Sequence, residues 1–273
     1  MERLLFLLTL RPIVFGLIGM TISGISFPLA GVIIVRNGLI PMRYMLMHGV
    51  ILGGIISVAF NLPLVPTVAT LNIVLVMVML SINRTTGLGL ASTAMMVFTM
   101  GLASMTGHVF DVPAKDTLEI LWGSPFALVA SDLAILAVLS IIVIIYIILC
   151  FRPLSMLFFD HDIAQSSGVN VNFHNTLMLL ITALVISVAM KLLGALLIDA
   201  LVVLPVLGSS KNVTGLRQMF IRSSATGLVL SLSGYFIALL INLPVSGVLA
   251  MLAAAAYLIN LVFRKFKDGK KEE

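Results

Sequence analysis

Asp199 is the residue best placed to do chemistry, because it stands alone among the intramembrane-type residues of LLIDALVVLP. An ionised carboxylate in hydrocarbon is costly unless paired or hydrated, so such acids often mark ion or proton pathways. The residue type leaves two readings: a cation or proton site on a translocation path, or a carboxylate bonded to a neighbouring helix or kept protonated. Pro205 follows six positions later. It lacks an N–H, frees a backbone carbonyl and predicts a break like those in transporter helices. His48 lies in YMLMHGVILGG. A neutral imidazole ligates zinc, manganese or iron, and is equally suited to a hydrogen bond between helices. Tyr44, four residues earlier, shares its helix face. Met45 and Met47 are soft donors, but with sixteen methionines in the chain they read as packing.

Other polar groups say less. His108, near Asp111, reads as a wetted loop residue at the end of a span. His161 stands between Asp160 and Asp162, yet consecutive helical residues point to different faces, so a solvated acidic helix start is the better reading. His174 marks a helix entry. Gly49 and Gly53 form a small-xxx-small step for close packing. No G-x-x-x-x-G-K-[ST], CxxC or HExxH occurs, so the chain does not hydrolyse nucleotides by the phosphate-loop route. The one cysteine, Cys150, excludes an intrachain disulfide framework. An intramembrane hydrolase would need a serine paired with a base; Ser209 and Ser246 lie near glycines, but no spacing pairs either with His48.

The elements that hold these residues must be membrane helices. The 273 residues are 60% hydrophobic and 10% charged, with mean hydropathy +1.20, whereas soluble domains carry about a quarter charged residues. A span needs about 20 apolar residues. Arg11 to Arg36 encloses 24 uncharged positions, and Arg43 to Arg84 encloses 40, divided by Asn61-Leu62-Pro63. Arg84 to Asp111 gives 26, Asp132 to Arg152 gives 19, and a further span is expected from about Asn175 to Met190. Arg222 to Arg264 holds 41, split by Asn242-Leu243-Pro244. The expected fold is an all-α polytopic bundle of eight or nine spans, nine if Gly194–Ser210 crosses fully. MERLLFLLTLR has no small-residue cleavage site and reads as a lead-in.

Orientation follows from lysine and arginine counts. With the C-terminal tail inside, nine crossings place 12 of 16 basic residues inside, Arg36, Arg43, Arg84, Arg152, Lys211, Arg217 and Arg222 among them. The net charge of +5 thus flanks spans and does not signal nucleic acid. The outer loop from Thr106 to Asp132 looks amphipathic and holds the single tryptophan, while the inner loop from Phe151 to His174 is polar, with a section suited to a short surface helix.

Several blocks are similar to the permease subunits of ABC transporters that import zinc, manganese or iron. GVIIVRNGLIPMRYMLMHGVILGG resembles R-x-M-S-L-x-G-D-A-x-S-H-A, and LWGSPFALVASDL resembles F-G-S-I-L-A-V-S-x-x-D-L. LFFDHDIAQSSGVNV resembles L-x-F-D-E-E-x-A-x-x-x-G; LLGALLIDALVVLPVLGS and INLPVSG resemble the two later blocks. The resemblance implies a fold like the cobalamin and siderophore importer permeases, one transmembrane domain over 1–273 with a coupling loop at about 151–174 and a basic tail at 264–273. It implies a second permease subunit, identical or paralogous, cytoplasmic ATPase subunits that bind the ATP, and an extracytoplasmic metal-binding protein. The metal is cargo, with no resident cofactor, and the lipid is that of a bacterial inner membrane. Phe159, Asp160, His161, Asp162, Ala164 and Gly168 fall in the block that couples to the ATPase.

Two departures stand out. The family's aspartate four residues before the histidine aligns with Tyr44, and Asp199 stands where relatives carry a small or hydroxyl residue. The expectation is that Asp199 compensates and forms a sparse ion site with His48, Tyr44 beside it. A stand-alone proton- or cation-coupled secondary transporter, with Asp199 as the coupling acid, is the alternative.

Overall fold

The computed structural model describes residues 9–113, 115, 123–210 and 213–269, without the side chains of 83–86 and 262–269. The lead-in with Arg3, the outer-loop residues Asp116, Glu119 and Trp122, Lys211, and the tail's charged side chains therefore lie outside the described residues. The uncharged runs are helical: α1 (Arg11–Arg36), α2 (Ile40–Ala59), α3 (Leu64–Thr86), α4 (Leu88–Val109) and α5 (Ala130–Leu149). Two short helices follow, α6 (Phe151–Phe159) and α7 (His161–Ser166), then α8 (Val171–Leu193). A broken pair, α9 (Ala195–Val202) and α10 (Leu204–Ser209), precedes α11 (Leu216–Ile241) and α12 (Val245–Gly269).

Among the described residues, seven helices are long and apolar enough to cross a membrane, and two shorter apolar stretches cover 195–209 and 245–261. The open choice between eight and nine spans thus falls on α9–α10. Fifteen residues of helix reach only about 22 Å, short of a hydrocarbon core of about 30 Å. Helix α8 starts earlier than the expected Asn175, since Asn170 Oδ1 accepts from Phe173 N–H at 3.0 Å and caps it. The polar inner loop is mostly helix, not coil, because α6 and α7 occupy most of it.

Three turns at helix C-termini share one device. Asn61, Asp111 and Asn242 adopt positive φ of 52°, 49° and 56°, a conformation that asparagine and aspartate tolerate better than most residues. The next N–H then reaches back five residues: Leu62 to Ser57 O at 2.9 Å, Val112 to Gly107 O at 3.0 Å, Leu243 to Ala238 O at 3.1 Å. Proline follows each time and bars helix continuation. Phe60 and Phe110 meet edge to face at 5.2 Å, so the first two turns lie at the same end. Pro12, Ile13, Asn242 and Leu243 line one small cavity, which brings the third turn beside the start of α1.

Helices α1 and α8 form the centre, and the outward faces of α3, α4 and α5 are apolar. A close seam joins α1 to α11. Ser231 Oγ donates to Met20 O at 2.6 Å, Ser224 Oγ to Ile25 O at 2.8 Å, and the buried Tyr235 hydroxyl to Ile13 O at 2.6 Å. Small residues let backbones approach this closely. On the next face of α1, a Cβ at Gly31 would overlap the Val202 carbonyl, so α9 is pressed directly onto α1.

Candidate translocation site

The α9 carboxylate meets a cation from α2. Pro41 sits in the first turn of α2, a favoured proline position, and this puts Arg43 inside the helix, where it is only 7% exposed. Its Nη1 forms an ion pair with Asp199 Oδ1. The guanidinium also lies over the Tyr44 ring, 4.5 Å from its centroid, within cation–π range. Among the described residues, Arg43 Nε has no hydrogen-bond partner. The Asp199 side chain is 37% exposed and, with Arg43, Leu196, Ala200, Val203, Leu204 and Ala250, lines a cavity of about 230 Å³.

Arg43, counted with the inner basic residues, lies in the first turn of α2 and pairs with the acid. The available signal was Pro41, which marks a helix start ahead of Arg43.

His48 is half-buried and forms no hydrogen bond among the described residues. Five residues beyond Arg43, it lies about 140° around the helix from it, on the Tyr44 face. The structure thus gathers Tyr44 and Asp199 around Arg43, with His48 one turn beyond Tyr44 along α2. No group of three or more His, Cys, Asp or Glu side chains able to hold a metal ion occurs among the described residues. An imidazole, a phenol and a carboxylate of this kind suit transient contact with a passing cation better than a closed four-ligand cage.

Asn72 was not singled out by the sequence reading. It is fully buried on α3, and its amide donates to Leu46 O at 3.2 Å and Ser187 Oγ at 2.6 Å. Its Oδ1 has no partner among the described residues and lies where a Cβ at Gly49 would fall, which explains a glycine beside His48. An amide in the run ATLNIVLV was the signal available.

At the opposite end from the three proline turns, Asp160 caps α7: its Oδ1 accepts from Asp162 N at 2.8 Å and Ile163 N at 3.0 Å. His161 Nε2 lies 3.4 Å from Asn175 Nδ2, so it turns towards α8 and away from a metal trio with its neighbours. Ala164 is buried while Phe159 is 80% exposed and Ile163 about half exposed, which gives this short element an apolar outward face. Gly168, at φ 81°, ends it. The break near Pro205 falls at Val203, between α9 and α10.

The model of the ABC 3 transport family matches residues 10–264. The chain belongs to the ABC 3 transport family. The match takes in α1 to α11 and most of α12, with both α2 and α9 inside it. Among relatives of the chain, the manganese import system permease protein ScaB of Streptococcus pneumoniae is 31% identical over 147 residues, 54% of this chain and 53% of that protein. The high-affinity zinc uptake system membrane protein ZnuB of Buchnera aphidicola subsp. Schizaphis graminum is 27% identical, covering 89% of this chain and 94% of the relative. PsaBC from Streptococcus pneumoniae in complex with Fab superposes with a TM-score of 0.81 at 23% identity, over 95% of this chain and 94% of that one. The expected all-α permease fold is the one found.

Proposed function

We propose that this ABC 3 chain is the membrane-spanning subunit of an ATP-driven importer for a divalent transition-metal ion, manganese or zinc. The observation that carries the reading is the family match across 10–264, supported by relatives named for manganese and zinc uptake. In this reading residues 1–273 act as one transmembrane domain, paired with a second permease subunit around a central path. An extracytoplasmic protein delivers the ion, and cytoplasmic ATPase subunits bind and hydrolyse the ATP. The protein is multi-pass in a bacterial inner membrane, with α6, α7 and the basic tail on the cytoplasmic side.

The loop at about 151–174 is the ATPase-facing segment, with Phe159, Asp160, His161, Asp162, Ala164 and Gly168 at its centre. Its exposed Phe159 and Ile163 give a partner an apolar hold, and the Asp160 cap fixes the turn between α6 and α7. His48, Tyr44 and Asp199 touch the ion in passage, and the break before Pro205 lets the Asp199 helix move independently of α10.

The test is co-purification with metal import. The chain should bring down an ATPase subunit that detaches on Phe159→Asp, and cells with the intact transporter should accumulate manganese or zinc above cells without it. Import by the purified chain without an ATPase, driven by a proton gradient, would refute the reading.

A further inference from the structure

The Arg43–Asp199 pair poses a question that the importer reading leaves open: where a dication could bind when the α9 acid already holds a cation. We propose that Arg43 is a tethered cation that occupies the ion position at Asp199 and has to be displaced before a divalent cation binds there. The proposal rests on the importer reading only for the identity of the cargo.

The geometry is that of a lock held on one side. The guanidinium reaches Asp199 through Nη1 and Oδ1 alone, and its Nε is left without a partner. A bidentate fork, the strong form of this pairing, is not made. The carboxylate faces an open cavity of about 230 Å³, well above the ~10–15 Å³ that a single water needs on the same measure. That is room for a cation carrying part of its hydration shell. A dication and a guanidinium compete for the same carboxylate, because two cations a few ångströms apart repel each other more strongly the less water lies between them.

A seat for the displaced group already exists. The Tyr44 ring lies against the guanidinium, and an aromatic face holds a cation without any carboxylate. Tyr44 also stands one turn before His48, so the face that receives Arg43 borders the imidazole. An acid that has given up Arg43 lacks a counter-charge, and a dication supplies one.

The experiment uses the intact transporter, permease with its ATPase, in lipid nanodiscs. Binding of Mn²⁺ and of Zn²⁺ is measured by equilibrium dialysis, and the melting temperature is followed with and without metal. Arg43→Gln should bind metal at least tenfold more tightly than the native protein and gain melting temperature on metal addition. Arg43→Lys, which keeps the cation, should show neither gain. Asp199→Asn placed on Arg43→Gln should abolish both.

Binding by Arg43→Gln no tighter than native, or a gain that survives Asp199→Asn, overturns the proposal. If Arg43→Gln is recovered folded only when metal is present, the lock is supported. If metal does not restore its yield while Asp199→Asn does, the pair is structural and the proposal fails. Metal import by the native transporter, measured in parallel, tests the importer reading separately: a binding gain without native import keeps the lock and removes the importer, and the reverse result does the opposite.

Discussion

The α1–α11 seam and the α2–α9 junction solve the same problem in opposite ways. Both bury polar groups among apolar helices. Along the seam every named donor is a neutral hydroxyl aimed at a backbone carbonyl 2.6–2.8 Å away, and the helices touch across Gly24 and Gly227. At the junction the groups are charged, one guanidinium N–H is unmet, and a cavity opens beside the carboxylate. Saturated neutral contacts favour one arrangement. A charged contact left partly unmet, with space next to it, has an alternative partner within reach. The difference separates a frame from a place where ions can exchange.

The strongest way to break that comparison is at Gly31, where the two regions meet. Gly31→Leu would drive a side chain into the Val202 backbone. Overpacking commonly costs about 1–3 kcal/mol and sometimes more, and here a backbone carbonyl cannot swing aside. The expected result is loss of monodisperse protein on size exclusion in detergent.

Next comes the junction itself. Asp199→Asn leaves the buried Arg43 without its counter-ion, read as a fall in melting temperature without metal. The Arg43→Met/Asp199→Leu double variant should recover most of it. A double variant as unstable as the sum of the singles would show that the pair is not the unit described.

Smaller effects sharpen the seam. Tyr235→Phe removes the bond to Ile13 O and should cost about 1 kcal/mol, the scale of interhelical hydrogen bonds in model membrane peptides. Ser231→Ala should cost about 0.6 kcal/mol, near the average for such bonds in a membrane bundle. Both are measurable by chemical unfolding in detergent, and neither should alter metal binding.

Much of the frame was legible because hydrocarbon excludes charge so strongly. The gaps between Arg11, Arg36, Arg43, Arg84 and Asp111 delimit α1 to α4 to within a few residues, and Asn61-Leu62-Pro63 and Asn242-Leu243-Pro244 were readable as hinges. The third hinge, Asp111-Val112-Pro113, escaped notice because its first residue was taken as a loop charge. The isolation of Asp199 in sequence was plain, but its partner was not. Charge counting treats every flanking arginine as a loop residue, and only the position of Pro41 places Arg43 within α2. Asn72 escaped for a related reason: an amide carries no charge, so it leaves no gap in the pattern. Its role depends on Gly49 and Ser187, residues distant in the chain.

The proline turns have a consequence for biogenesis. Each is closed by a bond spanning five residues, with its stop written in two adjacent side chains and a ring. Nothing from elsewhere in the polypeptide is needed to set the bend. A nascent hairpin leaving the translocon can therefore take its final shape at once, before the helices that will flank it have been synthesised.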